Sequence, residues 1–389
     1  MTWQGLRPNV RPRERYSSRG GSMSQLSHLQ MLRGLAASLV VVDHVMINIV
    51  DAGGLSRDAL PYAFFTGMMG VVIFFVISGF LMVRTTTSVV GGPATALDFA
   101  WRRFLRIVPL YYIATLSKVF TAGLKGQFWP PVEIAKSLLF IPYLTPGETE
   151  MRPIVGQGWT LNYEMFFYAL FALTLLLPRA WSVKALIAVM VGLVAAGSLL
   201  SPLMANLPPQ TALEFWTNPV LLFFVSGMVI GMAETRFGPW SSGRFALPLS
   251  VGLVALAVVL FKVGGVSFPI PLGWQAIFGA LAIASVLFCI INRAPADNWV
   301  TKVLVASGSA SFSTYLFHTR VLSVGYRAWD LLPEALRSPA PFIIVVVIAA
   351  NLFGYLIYRL VELPIDNLLR RTVGRRKVKT QLVEAPSTP

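Results

Sequence analysis

The chain has 389 residues, 55% of them hydrophobic and only 13% charged, with a mean hydropathy of +0.67. Soluble domains do not carry that balance, whereas a bundle of membrane-spanning helices does. The net charge of +15 does not mark a nucleic-acid binder, because the basic residues sit in short segments between apolar stretches, as positive-inside bias requires. The single cysteine, Cys289, excludes an intrachain disulfide, and the three histidines have no metal-ligand spacing, so no metal site is expected.

Residues 1–28 read as a disordered basic cytoplasmic tail, rich in Arg, Pro, Gly and Ser and without the apolar core of a signal peptide. Met23, opening MSQLSHLQMLRG, is a second candidate start. Ten apolar spans follow, near 29–50, 62–83, 107–124, 159–177, 184–203, 218–235, 245–262, 273–292, 303–325 and 340–361. An even number puts both termini on one side. With the termini in the cytoplasm, 23 of the 32 basic residues fall inside, which favours that orientation. The fold class is thus all-α integral membrane, about ten transmembrane helices with both termini cytoplasmic. A membrane domain over 29–366 precedes a basic cytoplasmic tail, 367–389.

Between spans, LDFAWRRFLRIVPLYY reads as an amphipathic segment lying at the inner interface. PPVEIAKSLLFIPYL, in the long outer segment 125–158, is too short to span and reads as an interfacial or re-entrant helix. FFVISGFLM at 74–82 is echoed by FFVSGMVIGM at 223–232; shared composition is the simpler explanation of the echo.

The first span holds the most informative pair. Arg33 and His44 are eleven residues apart, close to three helical turns, so they project from nearly one face roughly 16 Å apart along the axis. Ionisable groups at membrane depth mark a pathway or a reaction site more often than a packing role. On spacing alone, a snorkelling arginine and a hydrogen-bonded core histidine explain the pair equally well.

Six segments in order carry a family resemblance: LRGLAASLVVVDH, GVVIFFVISGFLM, RRFLRIVPLYY, WTLNYEMFFY, SFSTYLFH and YRLVELP. Together they resemble the membrane acyltransferase-3 family, in particular its bacterial exopolysaccharide-modifying branch. The resemblance implies a multi-pass enzyme of the bacterial inner membrane. Such an enzyme moves an acyl group, usually acetyl, from cytoplasmic acyl-CoA to a hydroxyl of a glycan that is typically lipid-linked. No cofactor stays bound, and polysaccharide-synthesis proteins are the expected protein partners. Two other classes remain open: a transporter or flippase of a lipid or glycan, and a non-enzymatic scaffold of polysaccharide synthesis.

Within that reading His44 is the expected general base or transient acyl carrier, since activating a sugar hydroxyl near neutral pH suits imidazole. Asp43 is expected to face elsewhere, because adjacent helical residues point about 100° apart. Glu164, just inside the outer end of the fourth span, is the expected orienting carboxylate, with Tyr168 on its face. Arg33 and the RxxR pair Arg103 and Arg106 are expected to hold the donor's phosphates. Phe74, Phe75, Ser78 and Gly79 of FFxxSG are expected to line a narrow acyl path. Trp159, Asn162, Tyr168 and His318 are the expected acceptor-binding set.

Overall fold

The computed structural model of the protein describes residues 18–86, 91–145, 147–200, 208–237, 272–291, 297–333 and 337–369, with short pieces between 251 and 259. All the regular secondary structure of these residues is helical, with no strand among them. Most of the expected seventh span, 245–262, and the tail beyond 369 lie outside the described residues.

Helix α1, Ser18–Asp51, starts inside the stretch read as tail and runs unbroken through Arg33 and His44. It packs against α2 (Leu60–Thr86), α9 (Leu272–Ile291), α10 (Trp299–Ser309), α11 (Ser311–Leu331) and α12 (Pro339–Ile357). A helix apolar on every side belongs in an interior, and α2, with GVVIFFVISGFLMV at its centre, is buried on all faces. Around it stand α3 (Pro93–Gly123), α5 (Trp159–Thr174), α6 (Arg179–Leu200) and α8 (Leu221–Phe237), joined by an aromatic core of Phe75, Tyr163, Phe167, Phe171 and Phe224. Short helices α4 (Pro131–Leu138) and α7 (Ala212–Trp216) lie in the connections.

Five helical stretches among the described residues are long and apolar enough to cross a membrane: 27–51, 57–86, 180–200, 212–236 and 339–369. The outward sides of α6 and α12 are almost purely apolar, with Leu199 83% and Val345 63% exposed, a surface that lipid would cover. The helices that hold the expected third and ninth spans are not among these five, and both carry polar or charged side chains. Helix α3 holds Arg102, Arg103 and Arg106, and α11 holds Ser311, Ser313, Thr314, His318 and Arg320.

Two regions differ from the sequence reading. LDFAWRRFLRIVPLYY is not a separate interfacial helix; Pro93 at the first turn starts a single helix that carries RRFLR straight past Pro109. The expected span 303–325 is two helices that meet at Ala310.

The FFVISG echo has a packing cause. At the crossing of α2 and α8, a Cβ on Gly79 would lie 2.1 Å from the Phe224 carbonyl oxygen, and one on Gly227 would lie 2.1 Å from that of Val76. Each helix thus offers a glycine to the other's backbone, the small-residue contact by which helices approach closely in lipid.

Candidate active site

Helix α1 has two polar poles. At the first, Arg33 lines a cavity with Arg106 of α3, Ser78 of α2, Glu164 and Tyr168 of α5, and Tyr315 of α11. The Tyr168 hydroxyl donates to Glu164 Oε1 at 2.5 Å, and Ser78 Oγ donates to the same oxygen at 3.2 Å. Glu362, in the π turn Tyr358–Glu362 that follows α12, accepts from Ser313 Oγ at 2.5 Å and lies within electrostatic reach of Arg33 and Arg106. Two guanidiniums therefore lie within electrostatic reach of two carboxylates, Glu164 inside the cavity and Glu362 beside it.

At the second pole, His44 Nδ1 sits 2.9 Å from the Val40 carbonyl oxygen. A carbonyl only accepts, so Nδ1 carries a proton and, in the neutral ring, Nε2 keeps its lone pair. The ring meets His318 of α11 edge-on, with centroids 4.9 Å apart. His318 is anchored the same way, its Nδ1 2.8 Å from the Tyr315 carbonyl oxygen, and its buried Nε2 has no hydrogen-bond partner.

The carboxylate beside His44 is that of Asp43, whose Oδ2 is 3.3 Å from Nδ1. The two residues still face different helices, as expected of neighbours on one helix: the His44 ring meets α11, whereas the Asp43 carboxylate turns toward α2. Gly67 of α2 leaves a notch, where a Cβ would lie 2.4 Å from Asp43 Oδ2, and the carboxylate turns into it. Glu164 is not brought to His44 but to Arg33. The reason is the entry of α5: the turn Gly156–Gly158 before it is itself largely buried, so the helix begins inside the bundle. Arg152, in the connection before that turn, lies within electrostatic reach of Asp43 and His44.

The remaining expected residues are distributed as follows. Arg103 does not line the cavity; its guanidinium lies over the rings of Phe99 and Tyr168, 5.4 Å from each centroid. Phe74 and Phe75 line the cavity, Phe75 also stacking on Phe224. Gly79 serves the α2–α8 crossing. Tyr168 lines the cavity at the arginine pole. Trp159 packs edge-on against Tyr163, and Asn162 is buried with its Oδ1 unpartnered.

Sequence reasoning missed Gln157 and Tyr315. Gln157 Nε2 donates to the carbonyls of Tyr315 and Leu316, at 3.2 and 2.9 Å, and the Tyr315 hydroxyl donates back to the Gln157 carbonyl at 2.7 Å. This clamp ties the turn before α5 to the helix that carries His318. The only sequence signal was a polar side chain between two glycines directly ahead of WTLNYE.

The profile of the acyltransferase domain family, acyltransferase-3, matches residues 27–359. The chain belongs to the acyltransferase-3 family. Both poles described above fall inside the matched region, and the chain is accordingly a membrane acyltransferase. It is 34% identical over 330 residues to the exopolysaccharide production protein ExoZ of Rhizobium meliloti, covering 82% of this chain and 95% of that one. It is 26% identical to the acyltransferase MdmB of Streptomyces mycarofaciens, over 92% and 95% of the two chains. Nodulation protein 10 of Rhizobium leguminosarum bv. viciae is 25% identical, over 77% and 84%. No solved structure matches the chain.

Proposed function

We propose that this acyltransferase sits in the bacterial inner membrane with both termini in the cytoplasm. It moves an acyl group, acetyl in the simplest case, from acyl-CoA to a hydroxyl of a cell-surface or exported glycan. The relation to an exopolysaccharide production protein supports the glycan, and the relation to MdmB supports the chemistry.

One observation carries the reading: Arg33 and Arg106 line one cavity, and His44 stands eleven residues further along the same helix with a free Nε2. That rise of about 16 Å is close to the reach of a pantetheine arm, roughly a dozen bonds from pyrophosphate to sulfur. With the phosphates held by the arginines, the thioester carbonyl reaches His44. The net balance is the same whether His44 acts as general base or as transient acyl carrier: the hydroxyl oxygen forms the ester bond, the carbon–sulfur bond breaks, and the thiolate gains one proton for the one the hydroxyl loses.

The test is glycan O-acylation in a deletion host complemented with wild type or His44→Ala, with membrane levels matched. Ester present with wild type and absent with the variant supports the reading. Equal acylation by both removes His44 from the mechanism. No ester difference between the deletion strain and wild type puts the transport and scaffold readings ahead.

A further inference from the structure

Two imidazoles in contact are more than a single general base requires. Both Nδ1–H groups are committed to backbone carbonyls, those of Val40 and Tyr315, so both rings present Nε2 as an acceptor. They differ in surroundings. The His44 side chain is 26% exposed and belongs to the helix that carries Arg33. His318 is 1% exposed, and its Nε2 meets no donor. A buried acceptor left without a donor is unfavourable, and this one lies against the His44 ring. The missing donor fits an O–H that arrives with a substrate.

Resting on the acyl-transfer reading above, we propose that the two imidazoles divide the reaction, His44 carrying the acyl group and His318 taking the proton of the acceptor hydroxyl. In the first half, His44 Nε2 bonds to the thioester carbonyl carbon, the carbon–sulfur bond breaks, and CoA leaves as the thiolate. The acyl-imidazolium keeps its Nδ1–H on the Val40 carbonyl. In the second half, the glycan hydroxyl gives its proton to His318 Nε2 while its oxygen bonds to the acyl carbon. The bond from that carbon to His44 breaks and neutral His44 returns. The His318 imidazolium then passes its proton to solvent, which matches the proton the thiolate took up. Donor and acceptor need not occupy the site together, so substrates approaching from opposite faces of the membrane pose no difficulty.

The full chain in nanodiscs, given acetyl-CoA without any glycan, tests the first half by thiol release. The ester content of the host's exopolysaccharide, measured in complemented deletion cells, tests the second. Wild type is expected to release a burst of about one thiol per chain. His318→Phe should keep that burst and lose glycan acylation at least 100-fold at matched membrane level, and His44→Ala should lose both. His318→Gln, should the Phe variant fail to reach the membrane, carries the same expectation of an intact burst with acylation reduced. Wild-type acylation by the His318 variants overturns the base assignment. Absence of a wild-type burst, with acylation still dependent on His44, overturns the division of labour and leaves the proposed function standing. Acylation independent of His44 overturns the division of labour and removes His44 from the mechanism, leaving acyl transfer itself standing.

Discussion

Gly79→Ala is the sharpest structural test, because the perturbation is one methyl group and the obstacle is backbone. The added Cβ would sit 2.1 Å from the Phe224 carbonyl oxygen, with the Met228 backbone nitrogen at 3.1 Å. An ordinary carbon–oxygen contact is about 3.3 Å, so α2 and α8 must part by roughly 1 Å. No flexible side chain stands there to yield. Overpacking of this kind costs about 1–3 kcal/mol, and a fixed carbonyl puts Gly79 at the upper end. Ser78, the neighbour, donates to Glu164 in the arginine cavity, so the displacement reaches the site. A misplacement of about 1 Å is enough for a loss near 100-fold in rate. The expected result is a lower Tm of the detergent-solubilised chain and a fall in exopolysaccharide ester content of about that size. Gly227→Ala, the reciprocal position, should do the same, since its Cβ meets the Val76 carbonyl oxygen at 2.1 Å. Gly192→Ala on α6, where nothing lies within 4 Å, is the control and should be neutral or stabilise by about 0.5–1 kcal/mol. Unchanged Tm and wild-type acylation in Gly79→Ala would refute the close-crossing argument.

Three further outcomes follow from the two poles. Arg33→Ala should raise KM for acetyl-CoA about 10- to 100-fold with a smaller effect on kcat, and Arg33→Lys should restore part of it; steady-state kinetics in nanodiscs decide this. Glu164→Gln keeps an oxygen for Tyr168 and Ser78 while removing the charge that faces Arg33. It should change KM for acetyl-CoA and lower kcat less than about 10-fold, and a larger loss in kcat at constant KM would give Glu164 proton chemistry instead. Gln157→Leu strips the clamp from the Tyr315 and Leu316 carbonyls and should lower stability by about 1–3 kcal/mol, read by thermal unfolding.

What could be read from the sequence was whatever depends on one helix at a time. Arg33 and His44 share α1, and helical spacing alone puts them about 16 Å apart on nearly one face. The apolar lengths of α2, α6 and α12 follow from composition. What could not be read was how chains enter the bundle. Glu164 looks like an outer-end carboxylate when α5 is assumed to start at a membrane surface. Because the turn Gly156–Gly158 is drawn inward by the Gln157–Tyr315 clamp, it lies instead beside Arg33. For Asp43 the 100° rule fixes where the Cβ leaves the helix, but the notch at Gly67 on another helix, which admits the carboxylate, could not be read.

The glycines connect these two kinds of information. Gly67, Gly79 and Gly227 leave no trace in a hydropathy profile, yet each marks a point where a second helix comes within backbone distance or a polar group is admitted. Their positions are set by the partner helix, so their meaning appears only once the partner is known. The same holds for the histidines. Residues 44 and 318 lie 274 positions apart. Nothing local to either one announces the other, and only the packing of α11 against α1 makes two weak bases into one site. A bundle that separated α11 from α1 by a single further layer of side chains would keep every motif in the sequence and lose the imidazole pair. That makes the α1–α11 contact, rather than any one motif, the feature on which catalysis by two histidines stands or falls.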